Sequence, residues 1–203
     1  NGDGGEYAAR LATLQNKKAV VQLGTRDPGI AQSPLSITLL AGLARGERMD
    51  LLVQKSVELG VSELVPVLTQ RCEVRLDQSR LARKMRHWRE IARSACEQCG
   101  QNTVPVIAQP QKLTEVLAAA PRPGFVLHPE SPLSFSAACA GQGTAVTRVS
   151  VLTGPEGGLS EPEVAAAEAA GFLSCRLGPR VLRAETAPLV AAALLQQIWG
   201  DFV

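Results

Sequence analysis

Residues 149–199 of the chain read VSVLTGPEGGLSEPEVAAAEAAGFLSCRLGPRVLRAETAPLVAAALLQQIW. The segment contains two strand–loop–helix units in succession. The apolar run Val149–Thr153 predicts a buried strand, and Phe172–Leu177 predicts a second one. A glycine-bearing loop follows each run, Gly154–Gly158 after the first and Gly178–Thr186 after the second. Because parallel α/β sheets bind ligands at the carboxyl ends of their strands, the two loops predict one binding site.

The helix after the first loop has local signals at both ends. Ser160 is a predicted N-cap, and Glu163, three residues later, completes a capping box. Gly171 predicts the end of this alanine-rich helix. After the second loop, Thr186 is the predicted N-cap of the last helix, Ala187–Trp199.

The first loop does not have the chemistry of a polyphosphate site. A phosphate-binding loop needs a Lys and a Ser or Thr at fixed positions, and Gly154–Gly158 contains neither. The carboxylate of Glu156 would repel an anion. No G-x-G-x-x-G run begins a helix, so a dinucleotide site is unsupported. Glycine amides, apolar neighbours and an acid favour a neutral or cationic adenosyl ligand.

Two motifs in this segment resemble those of a known family. LTGPEGGLSEPE (residues 152–163), followed by RLGPRVLRAETA (residues 176–187), is similar to the cofactor-binding signature of the SPOUT methyltransferases. The chain most resembles the RsmE-type ribosomal RNA uridine N3-methyltransferases. Further matching blocks are Leu52–Val74 and Ala95–Ile107, and the matches together cover most of Ser36–Gly200. One departure is Gln101, which stands where many relatives carry an arginine.

The resemblance implies a fold and a cofactor. The fold class is α/β, with a SPOUT methyltransferase domain over residues 35–203 that binds S-adenosylmethionine in a C-terminal trefoil knot. Residues 1–34 would be the end of a PUA-like RNA-binding β-barrel plus the linker Asp27–Pro34. The chain has no initiator methionine and would lack the start of that domain. The predicted cofactor-binding residues are Leu127, His128, Thr153, Gly154, Pro155, Glu156, Gly157, Gly158, Leu177, Gly178, Leu182, Thr186 and Ala187.

The predicted chemistry concerns a uracil ring nitrogen, which is a poor nucleophile until it loses its proton. A guanidinium near the flanking carbonyl oxygens would stabilise the resulting anion. Arg183 is the first candidate and Arg71 the second, with Glu185 as a proton acceptor or as a residue that orients Arg183. In the alternative interpretation, Arg183 only holds its loop through a salt bridge to Glu156 or Glu185. His128 is either a base or part of the cofactor-pocket wall.

A long helix, Ser79–Cys99, is predicted from an apolar seam at spacings of three and four. Its other faces carry a concentration of basic side chains. These faces are either solvated or in contact with an RNA backbone, because like charges this close repel one another unless an anion meets them. The predicted RNA-binding residues are Arg80, Arg83, Lys84, Arg86, Arg89 and Arg93.

The composition is that of an ordinary soluble domain. The 203 residues are 45% hydrophobic and 20% charged, with a formal net charge of +2 that is too small to indicate nucleic acid by itself. No apolar run reaches the length of a membrane span. The odd number of cysteines predicts no disulfide framework and a cytoplasmic location. Cys96 and Cys99 are predicted to be structural thiols, since no further metal ligands are clustered nearby, and no metal is expected.

The remaining elements alternate between strands and helices after a predicted N-terminal hairpin. The hairpin strands are Tyr7–Leu14 and Lys18–Leu23, joined near Asn16 and Lys17. Pro66 places the strand Leu64–Leu68 near an edge or at a bulge. The other predicted strands are Ile37–Leu43, Thr103–Gln109 and Phe125–Leu127, and the other predicted helices are Glu47–Leu59, Lys112–Ala120 and Ser134–Ala140.

The predicted function is methylation of nitrogen 3 of a uridine in 16S ribosomal RNA of the small ribosomal subunit. Two alternatives remain open: methylation of another position, such as a ribose 2′-hydroxyl, and a non-catalytic RNA-binding module. The intact motifs of both loops argue against the second. The last helix is apolar over most of its circumference, which together with the resemblance predicts a homodimer. Burial of that helix within its own subunit is the alternative.

Overall fold

The computed structural model describes residues 4–29, 32–73 and 77–202. Residues 1–3, 30–31, 74–76 and 203 lie outside the described part, so the predicted N-terminal unit, its linker and the block ending at Val74 are described only partly. The elements in chain order are β1 (Glu6–Gln15), β2 (Lys18–Asp27), β3 (Ser36–Gly42), α1 (Glu47–Glu58), β4 (Glu63–Leu68), α2 (Gln78–Cys99), β5 (Val106–Ile107), β6 (Gln111–Lys112), α3 (Leu113–Ala119), β7 (Gly124–Leu127), α4 (Phe135–Ala140), β8 (Arg148–Thr153), α5 (Glu161–Ala169), β9 (Phe172–Cys175) and α6 (Thr186–Trp199).

A parallel sheet organises the chain after the hairpin. Its strand order is β5-β4-β3-β8-β7-β9, with β6 also paired to β4. All of these pairings are parallel. The predicted α/β class is therefore confirmed. Because the strands are parallel, the loops after β3, β4, β7, β8 and β9 all leave the same edge.

Apolar side chains alternate between the two faces of the sheet, as the two-residue period of a strand requires. Leu39 of β3 and Val151 of β8 pack on the face covered by α1, α2, α4 and α6, and Trp88 of α2 is fully buried there. Leu40 and Leu152, the next residues along, pack on the opposite face with α3 and α5. Each fully buried leucine contributes about 2 kcal/mol relative to an exposed one. Helices on both faces explain why the strands are near-continuous apolar runs.

The strand containing Pro66 lies near an edge of the sheet, as predicted. β4 pairs with β3 on one side and, on the other, with β5 and β6, which form that edge. Pro66 lies opposite the gap between β5, which pairs with Leu64, and β6, which pairs with Val67, so its missing N–H costs no ladder bond on that side. The predicted strand Thr103–Gln109 is only two residues long.

The N-terminal hairpin has the predicted turn. Asn16 and Lys17 have φ values of 48° and 64°, as a two-residue type I′ turn requires. The strands are longer than predicted, and all of their residues are exposed. The hairpin base is attached to the domain through the Gly4 N–H, which donates to the Asn102 carbonyl at 2.9 Å. Within the described part, the hairpin has no core of its own.

The helix ends agree with the sequence in one loop and not in the other. Ser160 and Glu163 form the predicted capping box at the start of α5. Thr186 is not an N-cap, because it is already the first residue of α6 and Glu185 occupies the cap position without a side-chain hydrogen bond. The long helix begins one residue earlier than predicted, and Asp77 caps it by accepting from the Arg80 N–H at 2.8 Å.

Candidate active site

The two glycine-bearing loops enclose one cavity at the carboxyl edge of the sheet. Its volume is about 690 Å³, and it lies where β7, β8 and β9 end at Leu127, Thr153 and Cys175. Arg48 of α1 and Arg71, after β4, complete the wall. The prediction that both loops share one site is therefore met by the geometry.

Nearly all predicted cofactor-binding residues line this cavity. They are Leu127, His128, Thr153, Gly154, Pro155, Glu156, Gly157, Gly158, Leu177, Gly178, Leu182 and Ala187. Thr186 does not line the cavity; its backbone N–H instead donates to the Arg183 carbonyl at 2.9 Å. The predicted catalytic residues Arg71, Arg183 and Glu185 line the same cavity.

The first loop is a tight turn that presents its backbone to the cavity. The Gly158 N–H donates to the Pro155 carbonyl at 2.8 Å, and Gly158 has a φ of 70°. A Cβ on Gly154 would come within 2.6 Å of the carbonyl carbon of Gly158. The loop can therefore fold back on itself only with glycine at position 154.

The loop after β4 is fastened to the first loop. The Arg71 guanidinium donates to the carbonyls of Gly157 at 2.9 Å and Leu159 at 3.3 Å through the same nitrogen. The carboxylate of Glu163 accepts from the Ser160 N–H at 2.8 Å and from the Gln70 N–H at 2.6 Å. The capping box thus also holds Gln70 in place. Arg71 keeps its remaining donors for other partners.

The second loop is anchored at its base and exposed at its tip. Arg176 donates to the carbonyls of Ser131 and Pro132, both at 2.5 Å, which holds the start of the loop against the segment before α4. Val181, at the tip, is 79% exposed. A Cβ on Gly178 would meet no atom within 4 Å, so this backbone borders open space in the cavity wall.

Arg48 connects the two loops electrostatically. Its guanidinium donates to Glu156 Oε1 at 2.6 Å, and its Nε lies 4.0 Å from Glu185 Oε2. The Arg45 N–H also donates to Glu156 Oε1, at 3.0 Å. Burial alone would raise the pKa of Glu156, but the hydrogen bonds from the Arg45 backbone, its own backbone and the Arg48 guanidinium outweigh it and lower the pKa. Glu156 is therefore ionised at neutral pH.

Two buried polar atoms at the cavity have no hydrogen-bond partner among the described residues. They are Thr153 Oγ1 and Glu185 Oε2, in residues that are 2% and 8% exposed. An unsatisfied buried polar group costs about 1–3 kcal/mol, which a ligand's donor would recover. Leu127, Leu177 and Leu182 supply apolar wall suited to a flat ring. This combination fits an adenosyl ligand.

The alternative in which Arg183 only pins its loop has no support in the contacts. Arg183 is exposed at the cavity, and among the described residues no carboxylate lies within 4.0 Å of its guanidinium. Glu156 and Glu185 are instead near Arg48. The predicted orienting role of Glu185 toward Arg183 therefore has no contact behind it. Glu185 is buried, and its Oε2 accepts no hydrogen bond from the described residues and lies 4.0 Å from Arg48 Nε.

Sequence reasoning missed Arg48 altogether. It lies in the first turn of α1, which follows β3, and β3 is the strand paired with β8 in the centre of the sheet. A chain segment that follows a parallel strand leaves the same edge as the other loops. Arg48 could be predicted at the cavity only by knowing that β3 pairs with β8, and no local sequence pattern indicates that pairing. Gln101, by contrast, does not line the cavity.

The predicted RNA-binding side chains on α2 are divided between two flanks. On one flank, Arg80 pairs with Asp77, and the Lys84 ammonium lies 5.7 Å from the centre of the Trp88 ring. On the other flank is a surface groove of about 610 Å³, which we call the arginine groove. Its lining residues are Leu81, Ala82, Met85, Arg86, Arg89, Glu90, Arg93 and Gln109. Arg83 is exposed and does not line the groove.

Three of the cysteines are buried thiols. Burial raises the pKa of Cys96 and of Cys139 to about 11, and that of Cys175 to about 12, so all three stay protonated at neutral pH. Cys96 donates to the Thr103 carbonyl. Within residues 4–29, 32–73 and 77–202, no cluster of His, Cys, Asp and Glu could hold a metal ion. None of the helices described there combines the length and apolar character needed to cross a bilayer.

Comparison with known proteins identifies the family. A family model described as an RNA methyltransferase domain matches residues 31–196. Ribosomal RNA small subunit methyltransferase E of Buchnera aphidicola is 30% identical over 97% of this chain and 77% of its own length. The Bacillus subtilis protein of the same name is 31% identical over 80% of this chain and 66% of its own length.

Two solved structures are similar over the whole chain. A Legionella pneumophila methyltransferase in complex with bound SAM has 37% identity and a TM-score of 0.92, covering 100% of this chain and 82% of that one. A ribosomal RNA small subunit methyltransferase E from Neisseria gonorrhoeae, bound to S-adenosyl methionine, has 38% identity and a TM-score of 0.89 over the same shares. The chain therefore belongs to the RNA methyltransferase domain family and, within it, to the ribosomal RNA small subunit methyltransferase E group.

Proposed function

We propose that this protein uses S-adenosylmethionine to methylate nitrogen 3 of a uridine in 16S ribosomal RNA of the small ribosomal subunit. The observation that carries the proposal is the single cavity formed by both motif loops, with Arg183 exposed at its wall and unpartnered acid and hydroxyl oxygens inside it. Relatives named for the small ribosomal subunit, and two neighbours solved with the cofactor bound, support it. We propose that the protein acts in the cytoplasm, where it would meet ribosomal RNA.

The cofactor would be held by the predicted cofactor-binding residues that line the cavity. When bound, it supplies a methyl group activated by a positively charged sulfur. Leu127, Leu177 and Leu182 would contact the ring system, and the backbone of the two loops would supply hydrogen bonds. Glu185 offers a buried carboxylate oxygen to a donor or a cation.

Arg183 would act on the uridine. Loss of the ring proton leaves an anion whose charge spreads onto the two carbonyl oxygens of the uracil. A guanidinium that is free of carboxylate partners can donate to one of those oxygens and stabilise the charge as it develops. Glu185 is the proposed proton acceptor. Arg71 is the second candidate for the arginine role, although one of its nitrogens already donates to two loop carbonyls.

The finer architecture is also part of the proposal. We infer that residues 1–34 are the end of a PUA-like β-barrel with its linker, and that residues 35–203 form a SPOUT domain with a C-terminal trefoil knot. The exposed hairpin, which lacks a core, supports the first inference. The chain leaves edge strand β9 and returns over β8 and β3 as α6, a path consistent with threading.

The protein is proposed to act as a homodimer through α6. Leu194 and Ile198 are 40% and 44% exposed and lie four residues apart on one stripe of α6, and Phe202, which follows the end of the helix, is 38% exposed. The opposite stripe, which includes Leu195 and Trp199, packs in the core, so burial within one subunit does not use the whole helix. Light scattering at micromolar concentration should return twice 21.5 kDa, and a monomer would contradict the dimer.

The basic side chains of α2 would contact the ribosomal RNA. The proposed RNA-binding residues are Arg80, Arg83, Lys84, Arg86, Arg89 and Arg93, of which all but Lys84 are exposed. Basic residues that neutralise phosphates release counterions, so binding should weaken as salt rises.

Transfer of tritium from labelled cofactor into small ribosomal subunits, followed by mapping of the modified nucleotide, tests the function. N3-methyluridine is the expected product. A 2′-O-methylated ribose would favour the alternative position, and absence of transfer by a folded, cofactor-binding protein would favour a non-catalytic module. Either result would overturn the proposal.

A further inference from the structure

The arginine groove is separate from the catalytic cavity and has a ligand-sized volume. The two share no lining residue. At about 610 Å³ the groove falls within the roughly 300–1,000 Å³ range of small-molecule sites. It lies between α2 and Gln109, which precedes β6. Because β6 pairs with the last residues of β4, the groove adjoins the chain segment that leads to Arg71 and the cavity.

The charge of the groove is unbalanced. Arg86, Arg89 and Arg93 line it together, at spacings of three and four that place them on one side of the helix, about 4.5 and 6 Å apart along its axis. Glu90 is the single acid in the groove wall, and in the described part of the chain no carboxylate lies within 4.0 Å of any of the three guanidiniums. An anionic ligand would relieve their mutual repulsion.

Apolar side chains also line the groove, which distinguishes it from a plain phosphate-binding surface. They are Leu81, Ala82 and Met85, which we call the apolar floor of the groove. A phosphate gains nothing from such a floor, whereas the flat face of a nucleobase gains from both the apolar contact and stacking on an arginine plane. Gln109 adds an amide that can hydrogen-bond a base edge.

We propose that the arginine groove binds a single-stranded segment of RNA, with phosphates on Arg86, Arg89 and Arg93 and a base against Leu81 and Ala82. This inference rests on the proposed function, which supplies RNA as the substrate class, and it specifies the form of RNA recognised at the second site. In an A-form duplex the bases are stacked inside, so a duplex can offer phosphates to the rim but no base to the floor.

Binding of short oligonucleotides tests the groove without requiring methyl transfer. The probe is a fluorescent oligouridylate of about ten nucleotides, compared with the same strand annealed to oligoadenylate, and the full chain is titrated at several salt concentrations. Arg86→Ala, Arg89→Ala and Arg93→Ala are each expected to weaken single-strand binding about tenfold. Each should also reduce the slope of log K against log salt by about 0.7, the value for one phosphate contact in a single strand.

Matched variants distinguish specific binding in the groove from non-specific attraction of RNA by the charge of α2. Arg83→Ala removes the same charge from the same helix outside the groove, so it should lower the affinity for single strand and for duplex equally, by about twofold against about tenfold for the groove variants. Arg89→Lys should keep the salt slope but lose affinity, because lysine lacks the planar fork that donates two hydrogen bonds to one phosphate. Glu90→Gln should tighten binding. Duplex binding should respond to the groove variants no more than to Arg83→Ala.

Several outcomes would overturn the inference. Equal losses of affinity in Arg83→Ala and in the groove variants would mean that binding depends only on the overall charge of α2. Equal losses for duplex and single strand would mean that the groove contacts only the phosphate backbone. Competition by polyglutamate as strong as by the oligonucleotide at equal charge would indicate an acidic peptide site. If the wild-type protein transfers methyl groups but the groove variants bind RNA like Arg83→Ala, the inference about the groove fails and the proposed function stands. If binding depends on the groove but no methyl transfer occurs, the proposed function fails and the inference about the groove stands.

Discussion

Arg48 donates a hydrogen bond of 2.6 Å to Glu156, a residue 108 positions later in the chain. The same guanidinium is 4.0 Å from Glu185 in the other loop. Arg48 and Glu156 are partly exposed, and such a pair alone stabilises a fold by only about 0–1 kcal/mol. Its consequence is geometric, since one cation on α1 neutralises an acid from each loop and sets where the loops stand around the cavity.

Replacing Arg48 should therefore impair the cavity more than the fold. In Arg48→Ala, Glu156 keeps only its backbone donor and Glu185 loses its nearest cation, so affinity for S-adenosylmethionine should fall about tenfold, equivalent to about 1.4 kcal/mol. Calorimetric titration measures this. Arg45→Ala is the matched control, because its side chain pairs with Glu73 while its backbone N–H, which contacts Glu156, is retained. A folded Arg48→Ala protein with wild-type affinity would remove this contact from the cofactor site.

The lowered pKa of Glu156 predicts a pH dependence with a definite sign. A carboxyl group whose pKa is lower in the folded state stabilises the fold above its unfolded value, here 4.5, and the contribution is lost as pH falls through the folded pKa. At neutral pH, Glu156→Gln should lower the free energy of unfolding by about 1 kcal/mol, and the Tm by about 2–4 °C. The difference from wild type should be constant above pH 5 and shrink below about pH 4.5. A difference in Tm between wild type and Glu156→Gln that stays constant down to pH 3 would contradict the lowered pKa of Glu156.

A side chain added at Gly157 would affect the cofactor site through Arg71. A Cβ there would approach the Cβ of Arg71 at 3.0 Å, so a larger side chain first displaces Arg71 from its bonds to the loop. Gly157→Val should therefore abolish measurable cofactor binding by displacing Arg71. In a double-mutant cycle with Arg71→Ala, followed by calorimetry, the two losses should not add. Additive losses would mean that the valine meets the cofactor itself.

Local signals predicted what depends on a few neighbouring residues. The capping box of Ser160 and Glu163 and the turn at Asn16 and Lys17 are correct because each is settled by side chains or backbone preferences within three positions. The motif loops were likewise assigned to one site. Long-range pairing was not predictable, because strand order is set by packing across the whole sheet.

The errors and omissions follow from that limit. Pro66 indicated a strand near an edge, but the split of the neighbouring strand into β5 and β6, which accommodates its missing N–H, was not predicted. The contact between Arg71 and Gly157 spans 86 positions, and Arg48 was missed for the same reason. Thr186 is a residue type typical of an N-cap, but the N–H groups of Thr186 and Ala187 donate to the Arg183 carbonyl, so the helix starts one residue earlier than predicted.

Arg183 provides the test of the chemistry. Its guanidinium has no carboxylate within 4.0 Å among the described residues, so its donors are free to meet the charge that develops on uracil oxygens. Arg183→Lys keeps the charge but loses the planar fork. Single-turnover methyl transfer, with RNA and cofactor saturating, should slow by about 10²-fold, the scale for losing one stabilising donor. Cofactor affinity should stay within about twofold, because no loop contact depends on this side chain.

The controls for Arg183→Lys separate catalysis from binding and from folding. Arg180→Lys is the matched variant, since Arg180 lines the same cavity from the same loop and has no proposed role in stabilising the uridine. It should transfer methyl groups at nearly the wild-type rate. If Arg183→Lys recovers its rate when cofactor is raised further, Arg183 is a cofactor-binding residue. If its single-turnover rate equals that of wild type, the guanidinium does not stabilise the uridine anion, and Arg71 becomes the arginine to test.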